Sequence, residues 1–143
     1  MTEHENVEIL RSVYEKWGDQ SLDASNWMDV LADDVQWRSI ADGAPGMEFS
    51  SASRSKNEVA RYFEELANDW EMLRYSVDEF VAQGDRVVVI GRCGWRSRNT
   101  GKTVDTPKVD IFRMRDGKVT EFYEFFDTAK ALEAARGNEM TSS

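Results

Sequence analysis

One stretch of this sequence, residues 84–127, indicates the fold most clearly, and it reads GDRVVVIGRCGWRSRNTGKTVDTPKVDIFRMRDGKVTEFYEFFD. Runs rich in β-branched and aromatic residues alternate here with three short turns, Gly84-Asp85, Asn99–Lys102 and Asp116-Gly117. Glycine, asparagine and aspartate suit the tight connections of β-hairpins. The spacing therefore predicts consecutive hairpin strands, and the residues before Gly84 supply one more. The four expected strands are Leu73–Gln83, Arg86–Arg98, Thr103–Arg115 and Lys118–Asp127.

The sequence before these strands has helical periodicity. Apolar residues recur at helical spacing from Val7 to Trp17, and again from Lys56 to Trp70. Between these two helices we expect a shorter helix over residues 23–31, capped by Asp23 or Ser25, and a strand over residues 35–40. Helices followed by hairpin strands are typical of an α+β fold with an antiparallel sheet.

The connecting segments are also marked in the sequence. Gly18-Asp19 ends the first helix or lies just beyond it. Residues 41–55 are rich in Gly, Ser and Ala, so we expect a loop that is either a lid over a pocket or a plain connection. Met47 and Phe49 favour the lid. Thr128 is expected to cap a last helix, and residues 137–143 form a loose tail.

The composition excludes several classes of function. The chain has 143 residues, 41% of them hydrophobic, so residues 1–143 are expected to form one domain with a substantial core. Its 18 basic and 27 acidic residues give a net charge of -9, which disfavours binding to nucleic acids or to an anionic membrane surface. No apolar run approaches the roughly 20 residues needed to span a bilayer, and the N-terminus is unlike a signal peptide. A cytoplasmic location is expected.

Rare residues exclude several kinds of active site. The chain has one histidine, His4, which is expected to lie in a frayed N-terminus, and one cysteine, Cys93. A Ser-His-Asp triad, a Cys-His pair and a histidine-rich metal site each need a histidine within the folded body. The sequence also lacks the glycine-rich motifs of nucleotide sites. We therefore expect neither metal nor cofactor, and any catalysis falls to carboxylates, hydroxyls or tyrosines. Cys93, on an apolar strand, is expected to be buried and inert.

Several segments together resemble the NTF2-like superfamily, and within it the SnoaL-like branch that also includes relatives of ketosteroid isomerase. The resemblance covers about residues 5–135 and implies a curved antiparallel sheet wrapped around N-terminal helices, a deep apolar pocket and a homodimer. The superfamily holds isomerases, cyclases, dehydratases, hydrolases and non-catalytic binders. The segments that carry the resemblance are Leu31–Val35, Gly84–Val89, Thr100–Lys102, Phe112–Val119 and Phe125–Asp127.

The three catalytic positions of ketosteroid isomerase transfer unequally to this chain. The position of its general-base aspartate falls on Ser39, which cannot act as the same base. The position of its oxyanion tyrosine falls on Val13, and Tyr14 takes it only if the alignment shifts by one residue, about 100° of helix rotation. The position of its protonated carboxylic acid falls on Asp110.

Strand alternation groups further side chains on shared faces, and the resemblance implies that these faces point into the pocket. Asp110 and Phe112 share one face of their strand, and Phe122, Glu124 and Phe126 share one face of the next. Two carboxylates in an apolar pocket can offer one protonated and one ionised group at neutral pH. The predicted catalytic residues are therefore Asp110, Glu124 and Tyr14. The predicted ligand-binding residues are Trp17, Trp37, Ser39, Phe63, Phe112, Phe122 and Phe126.

Each carboxylate also has a structural interpretation. Asp110 could form an ordinary ion pair with Arg92, Arg96 or Arg113, and Glu124 could form a cross-strand salt bridge. Tyr14 and the tryptophans are equally compatible with a core position.

Two hypotheses from different classes follow. The first is a cofactor-free enzyme, an isomerase, cyclase or dehydratase, that moves a proton on a small carbonyl compound of polyketide or steroid type. The second is a non-catalytic small-molecule binder or dimeric scaffold, since two of the three isomerase residues are absent. Both predict a small apolar or amphipathic ligand and a homodimer, with no nucleic acid and no membrane as partner.

Overall fold

A computed structural model describes residues 2–17 and 24–136 of the chain, and it has the predicted α+β fold. None of the helices within those two ranges has the length and apolar character needed to cross a bilayer. A short 3-10 helix, Glu48–Ser50, lies in the loop after the first strand. The elements in chain order are α1 (Glu3–Trp17), α2 (Ser25–Val30), β1 (Leu31–Ser39), α3 (Lys56–Asp69), β2 (Trp70–Gln83), β3 (Arg86–Ser97), β4 (Thr103–Arg115), β5 (Lys118–Phe126) and α4 (Thr128–Ala135).

Two strands begin earlier than the sequence pattern indicates. β1 starts at Leu31 and β2 starts at Trp70, in each case directly at the end of a helix. Leu31 and Trp70 both have extended backbone dihedrals and still donate their N–H groups to the last turn of the helix before them. The chain therefore passes from helix to strand within one residue, which a search for separating turn residues cannot detect.

The five strands form one mixed sheet with the order β1-β5-β4-β3-β2. The three hairpin pairs are antiparallel, as expected, whereas β1 pairs with β5 in parallel. β1 and β2 are joined through α3 and lie at opposite edges of the sheet. After three hairpin reversals β5 runs opposite to β2. β1 also runs opposite to β2, so β1 and β5 pair in parallel.

The helices pack on one face of the sheet. α1 buries Leu10, Val13, Tyr14 and Trp17, which recur on one side of the helix. α3 buries a second stripe toward the same face, Val59, Tyr62, Phe63 and Leu66. The sheet meets these stripes with alternate, inward-facing residues, among them Val87, Val89, Phe112 and Phe122.

Helix caps differ in detail from the expected ones. Asp127, not Thr128, caps α4, because its carboxylate accepts the backbone N–H of Lys130 at 3.0 Å. Thr128 is the first residue of that helix. Ala24 occupies the cap position of α2, so Ser25 is the first residue of the helix rather than its cap. Asp23, Gly18-Asp19 and the tail over residues 137–143 lie outside the described residues.

The loop over residues 41–55 is attached to the body of the protein. Trp37 and Ser53 exchange two backbone hydrogen bonds of 2.8 and 2.9 Å, which fold the end of the loop against β1. Met47 and Phe49 are buried in the core. Gly46 adopts a φ of +85°, and a side chain there would meet the Cβ of Ala135 at 2.5 Å. The loop and the end of α4 therefore lie against each other.

Candidate functional site

An aromatic cavity lies between the helices and the inner face of the sheet. Each of the four helices in the described part of the chain contributes to its wall, through Trp17, Trp27, Phe63 and Ala131. All five tryptophans of the chain line it. Its volume is about 70 Å³, several times the roughly 10–15 Å³ that one water molecule requires.

The wall is built from closely packed rings. Trp37 and Phe122, which are register partners on β1 and β5, stack with their ring centroids 3.8 Å apart. Phe63 packs edge-on against Trp17, with centroids 5.4 Å apart. Such ring pairs hold a fixed shape because each ring is locked by its neighbours. The cavity is thus a largely apolar space whose shape is fixed by the packing of its wall.

Two carboxylates and one ammonium group form the polar part of the wall. Asp110 on β4 and Glu124 on β5 are register partners, and both side chains are only 3% exposed. Like charges directly opposite each other on neighbouring strands repel. Lys108, two residues before Asp110 and therefore on the same face of β4, bridges them. Its Nζ lies 2.5 Å from Asp110 Oδ1 and 3.1 Å from Glu124 Oε1.

Three tyrosines complete this polar cluster. Tyr14 of α1 and Tyr75 of β2 both donate their hydroxyls to Asp110 Oδ2, the latter at 3.2 Å. Tyr62 of α3 donates to Glu124, with its hydroxyl 3.0 Å from both carboxylate oxygens. Six residues thus form one polar cluster, Lys108, Asp110, Glu124, Tyr14, Tyr62 and Tyr75.

Burial and charge together determine the protonation of the cluster. Burial raises the pKa of Tyr14, Tyr62 and Tyr75 well above its ordinary value, and the adjacent carboxylates raise it further. Burial alone would lower the pKa of Lys108, but the negative charges of Asp110 and Glu124 outweigh it and hold that pKa well above its usual range. At neutral pH the tyrosines are therefore neutral donors and Lys108 is an ammonium ion.

The structure places most of the predicted site residues around this cavity. Asp110 and Glu124 line it. The predicted ligand-binding residues in the wall are Trp17, Trp37, Phe63, Phe122 and Phe126.

Three predicted residues are placed differently. Tyr14 touches Asp110 but lines a separate groove between α1 and β2 rather than the cavity. Phe112 lies behind the wall, stacked on Trp27 with an angle of 6° between the rings. Ser39 is buried and does not line the cavity, and its Oγ accepts the backbone N–H of Ala41 at 3.2 Å. The resemblance indicates Val13 as the position of the tyrosine on α1. The residue of α1 that contacts Asp110 is Tyr14, one position later.

Sequence reasoning missed Lys108, Tyr62 and Tyr75. Strand alternation contains the signal for Lys108, since residues 108, 110 and 112 share a face. Tyr62 belongs to the buried apolar stripe of α3, and that pattern does not indicate where its hydroxyl points. Tyr75 alternates with its polar neighbours Arg74 and Ser76 on β2, but alternation indicates only that the ring points inward and not that its hydroxyl meets a carboxylate.

The arginines considered as partners of Asp110 lie elsewhere. Arg92 pairs with Asp105 and Arg96 with Glu71, in both cases between exposed side chains. Arg113 pairs with Asp85 and Glu121. Asp110 does form an ion pair, but with Lys108 in the cavity wall.

Cys93 is buried in the cavity wall, as predicted for an apolar strand residue. Burial raises the pKa of its thiol to about 11, so the thiolate that a nucleophile requires is scarce at neutral pH.

Comparison with known proteins agrees with this fold. Residues 10–122 match the SnoaL-like domain. An NTF2-like protein of unknown function from Burkholderia pseudomallei is 25% identical, with a TM-score of 0.82 over 96% of this chain and 100% of that one. An NTF2-like protein from Burkholderia thailandensis is 26% identical, with a TM-score of 0.80 over 95% and 99%. TerC, co-crystallised with polyporic acid, is 26% identical, with a TM-score of 0.78 over 92% and 98%. No curated protein sequence matches the chain.

Proposed function

This chain belongs to the SnoaL-like domain family of the NTF2-like superfamily, and we propose that it is a cofactor-free enzyme that transfers a proton on a small, mostly apolar carbonyl compound. One observation carries the proposal: a buried ammonium ion bridges two buried carboxylates in the wall of an aromatic cavity. Burying three charges costs folding free energy that packed apolar residues would not cost. Such a cluster is characteristic of sites that handle protons.

The proposed reaction uses the cluster as follows. Glu124 takes a proton from the carbon next to the substrate carbonyl, so a C–H bond breaks and an O–H bond forms on the carboxyl group. The electron pair moves onto the carbonyl oxygen, whose negative charge the ammonium group of Lys108 stabilises. Glu124 then returns the proton to another carbon of the conjugated system, which completes an isomerisation; return to the same carbon regenerates the substrate and is seen only as exchange of its hydrogen.

Asp110 and the two tyrosines on it have a positioning role in this proposal. The resemblance to ketosteroid isomerase predicts Asp110 as the acid, but its oxygens already accept hydrogen bonds from Tyr14, Tyr75 and Lys108. A carboxylate held in this way fixes Lys108 and keeps it charged. Glu124 has more unused acceptor capacity and is better suited to accept a proton.

The comparisons support the small-molecule part of the proposal. TerC, at 26% identity over 92% of this chain, was crystallised with polyporic acid. We propose that this chain likewise takes a small organic ligand into its cavity.

Exchange of deuterium at carbon tests the proposed chemistry. A panel of cyclic enones is incubated in D₂O with the protein, and incorporation next to the carbonyl is followed by proton NMR. We expect exchange that Glu124→Gln lowers by about 100-fold or more, the usual contribution of a positioned general base. Glu133→Gln, which makes the same change at a glutamate that is 69% exposed, is the matched control. Exchange in the Glu124→Gln protein at the wild-type rate would contradict the proposal.

A non-catalytic binder is the second candidate. The placement of Ser39 favours it. Ser39 stands at the position of the general base of ketosteroid isomerase, and its hydroxyl oxygen accepts a hydrogen bond from the backbone N–H of Ala41. Under this alternative, bound ligands raise the unfolding temperature of the protein. Neither the wild type nor any variant then exchanges deuterium into an enone.

We also propose that a second copy of the chain covers the outer face of the sheet. The described helices all contact the inner face, which leaves a continuous row of partly exposed apolar side chains on the outside. A contiguous apolar patch of this kind is typical of an association site. Its members are register neighbours on β3, β4 and β5, namely Val88, Ile90, Val109, Ile111, Tyr123 and Phe125.

Sedimentation tests the dimer. We expect the wild-type protein at micromolar concentration to sediment at twice the 16.4 kDa mass of the chain. Ile111→Glu places a charge at the centre of the patch and is expected to give the single-chain mass. Thr103→Glu, on an exposed position of the same strand, should leave the dimer intact. A wild-type protein that sediments at the single-chain mass would exclude it.

A further inference from the structure

The donors of the polar cluster form all of their possible hydrogen bonds, whereas its acceptors do not. Its three tyrosine hydroxyls and the three N–H groups of Lys108 all have acceptors among the described residues. The weakest of these donations runs from Lys108 Nζ to Tyr75 Oη, at 3.4 Å. An ionised carboxylate can accept about four hydrogen bonds. The unused capacity of the cluster is therefore on the acceptor side.

Most of that unused capacity belongs to Glu124. Asp110 accepts hydrogen bonds from three groups, whereas Glu124 accepts from two, Lys108 and Tyr62. The hydroxyl oxygen of Tyr62 lies 3.0 Å from both oxygens of Glu124, and its single proton can be donated to only one of them at a time. One of those oxygens can thus receive a further hydrogen bond without displacing an existing partner. Glu124 also lines the cavity.

The formal charges of the cluster point in the same direction. Two carboxylates and one ammonium group leave one net negative charge in an apolar wall. An anionic ligand would add a second negative charge in a medium where charges interact strongly. A neutral group that donates a hydrogen bond would instead satisfy the free oxygen of Glu124.

We propose that the cavity selects ligands that present a neutral hydroxyl group, a phenol or an enol, to Glu124, and that it rejects their ethers and the corresponding carboxylate anions. This inference rests on the proposed function as far as the cavity being a small-molecule site. It narrows the ligand class of that site to phenols and enols. Lys108, through its long bond to Tyr75, can turn one N–H toward the oxygen of that hydroxyl.

Calorimetric titration with three probes of one shape tests the selectivity. The probes are 2-naphthol, 2-methoxynaphthalene and 2-naphthoate, all at pH 7, where the naphthol is neutral and the naphthoate is an anion. A hydrogen bond to a charged acceptor contributes a factor of about ten or more to affinity. We expect 2-naphthol to bind at least about tenfold more tightly than either of the other probes.

Two variants identify Glu124 as the origin of the preference. In Glu124→Gln the amide oxygen keeps Lys108 and Tyr62 as donors, so the amide N–H₂ faces the ligand. The oxygens of 2-naphthol and of 2-methoxynaphthalene can both accept from it, so the preference for 2-naphthol should be lost. In Tyr62→Phe the carboxylate loses one donor, so affinity for 2-naphthol should rise while affinity for the ether stays unchanged. The second variant keeps the test decisive if the first one does not fold.

Each remaining outcome overturns the inference. Equal affinities for the naphthol and its ether would show that Glu124 does not select a donor, and tightest binding of 2-naphthoate would show that the site prefers an anion. Absence of binding by all three probes at millimolar concentration would show that the cavity does not take such ligands. Failure of the proposed function is a separate result, because a strong preference for 2-naphthol without any deuterium exchange would retain the selectivity and exclude the catalysis.

Discussion

Lys108 holds the buried charges of the site together. Its side chain is 11% exposed and contacts two carboxylates that are each 3% exposed. Removing one partner of a buried ion cluster leaves uncompensated charge in the interior. We therefore expect Lys108→Met to lower the free energy of unfolding by about 3–5 kcal/mol, measured by urea denaturation.

Lys102→Met is the control for this prediction. Lys102 pairs with Glu133 at 3.7 Å on the surface, where Glu133 is 69% exposed. Exposed pairs contribute little, so this variant should stay within about 1 kcal/mol of the wild type. Equal losses in the two variants would mean that the buried cluster is not strongly coupled.

The three tyrosines of the cluster predict a stability that falls at alkaline pH. Their pKa values are raised in the folded protein, as is that of Lys108. A group with a raised pKa keeps its proton in the folded state after the unfolded chain has lost it. The stability that these groups contribute is therefore complete below their ordinary pKa of about 10 and is lost as the pH rises above it.

Ultraviolet absorbance at alkaline pH measures this effect. Three of the four tyrosines should ionise only above their ordinary range and together with unfolding, which circular dichroism follows in parallel. The same titration in guanidinium chloride should show all four ionising at a pKa of about 10. Ionisation of all four near that value with the circular dichroism unchanged would contradict the buried placement.

At the scale of the elements, two glycines of β3 provide a matched test of strand packing. A side chain at Gly91 would lie 2.1 Å from the backbone oxygen of Ser76, next to the bulge between Val77 and Glu79. A side chain at Gly94 would meet only the side chain of Arg74, which is 60% exposed and able to move. Gly91→Ala should therefore cost about 2–3 kcal/mol, and Gly94→Ala less than about 1 kcal/mol. Thermal unfolding of both variants checks the difference, and a reversed order would contradict the described bulge.

The hairpin strands were predictable because their ends are chemically marked. Gly84 and Gly117 adopt φ values of +60° and +77°, which glycine reaches without strain, and such residues identify turns in a sequence. The starts of β1 and β2 lack such marks, since Leu31 and Trp70 follow a helix directly. The parallel pairing of β1 with β5 depends on residues more than 80 positions apart, and no local pattern encodes it.

The candidate site was predictable where alternation or resemblance applied to a single strand. Asp110 and Glu124 were found in that way. Their partners come from α1, α3 and β2, and such contacts between elements depend on how the elements pack. Tyr62 and Tyr75 illustrate this, because each is an ordinary aromatic residue until the fold brings its hydroxyl to a carboxylate.

At the scale of the whole molecule, many residues of the core also line the cavity. Most substitutions in the wall should therefore change stability and ligand affinity together. Only substitutions at the edge of the cavity should weaken binding with a small loss of stability. Trp37 is 2% exposed and stacks on Phe122, whereas Trp95 is only partly buried. We expect Trp37→Ala to lose about 3–5 kcal/mol of stability. Trp95→Ala should lose clearly less while weakening the binding of any cavity ligand. Calorimetric titration together with urea denaturation measures both quantities, and an equal loss of stability would contradict the assignment of Trp95 to the edge.

The concentration of every tryptophan around one cavity also makes the protein its own optical reporter. No indole emits from a remote part of the chain, so the whole fluorescence spectrum originates at the wall of the site. A bound aromatic molecule that absorbs at the emission wavelength should quench all five indoles by energy transfer. Occupancy could then be read in microlitre samples of unlabelled protein against whole compound collections, which turns the search for the natural ligand into a plate-reader assay.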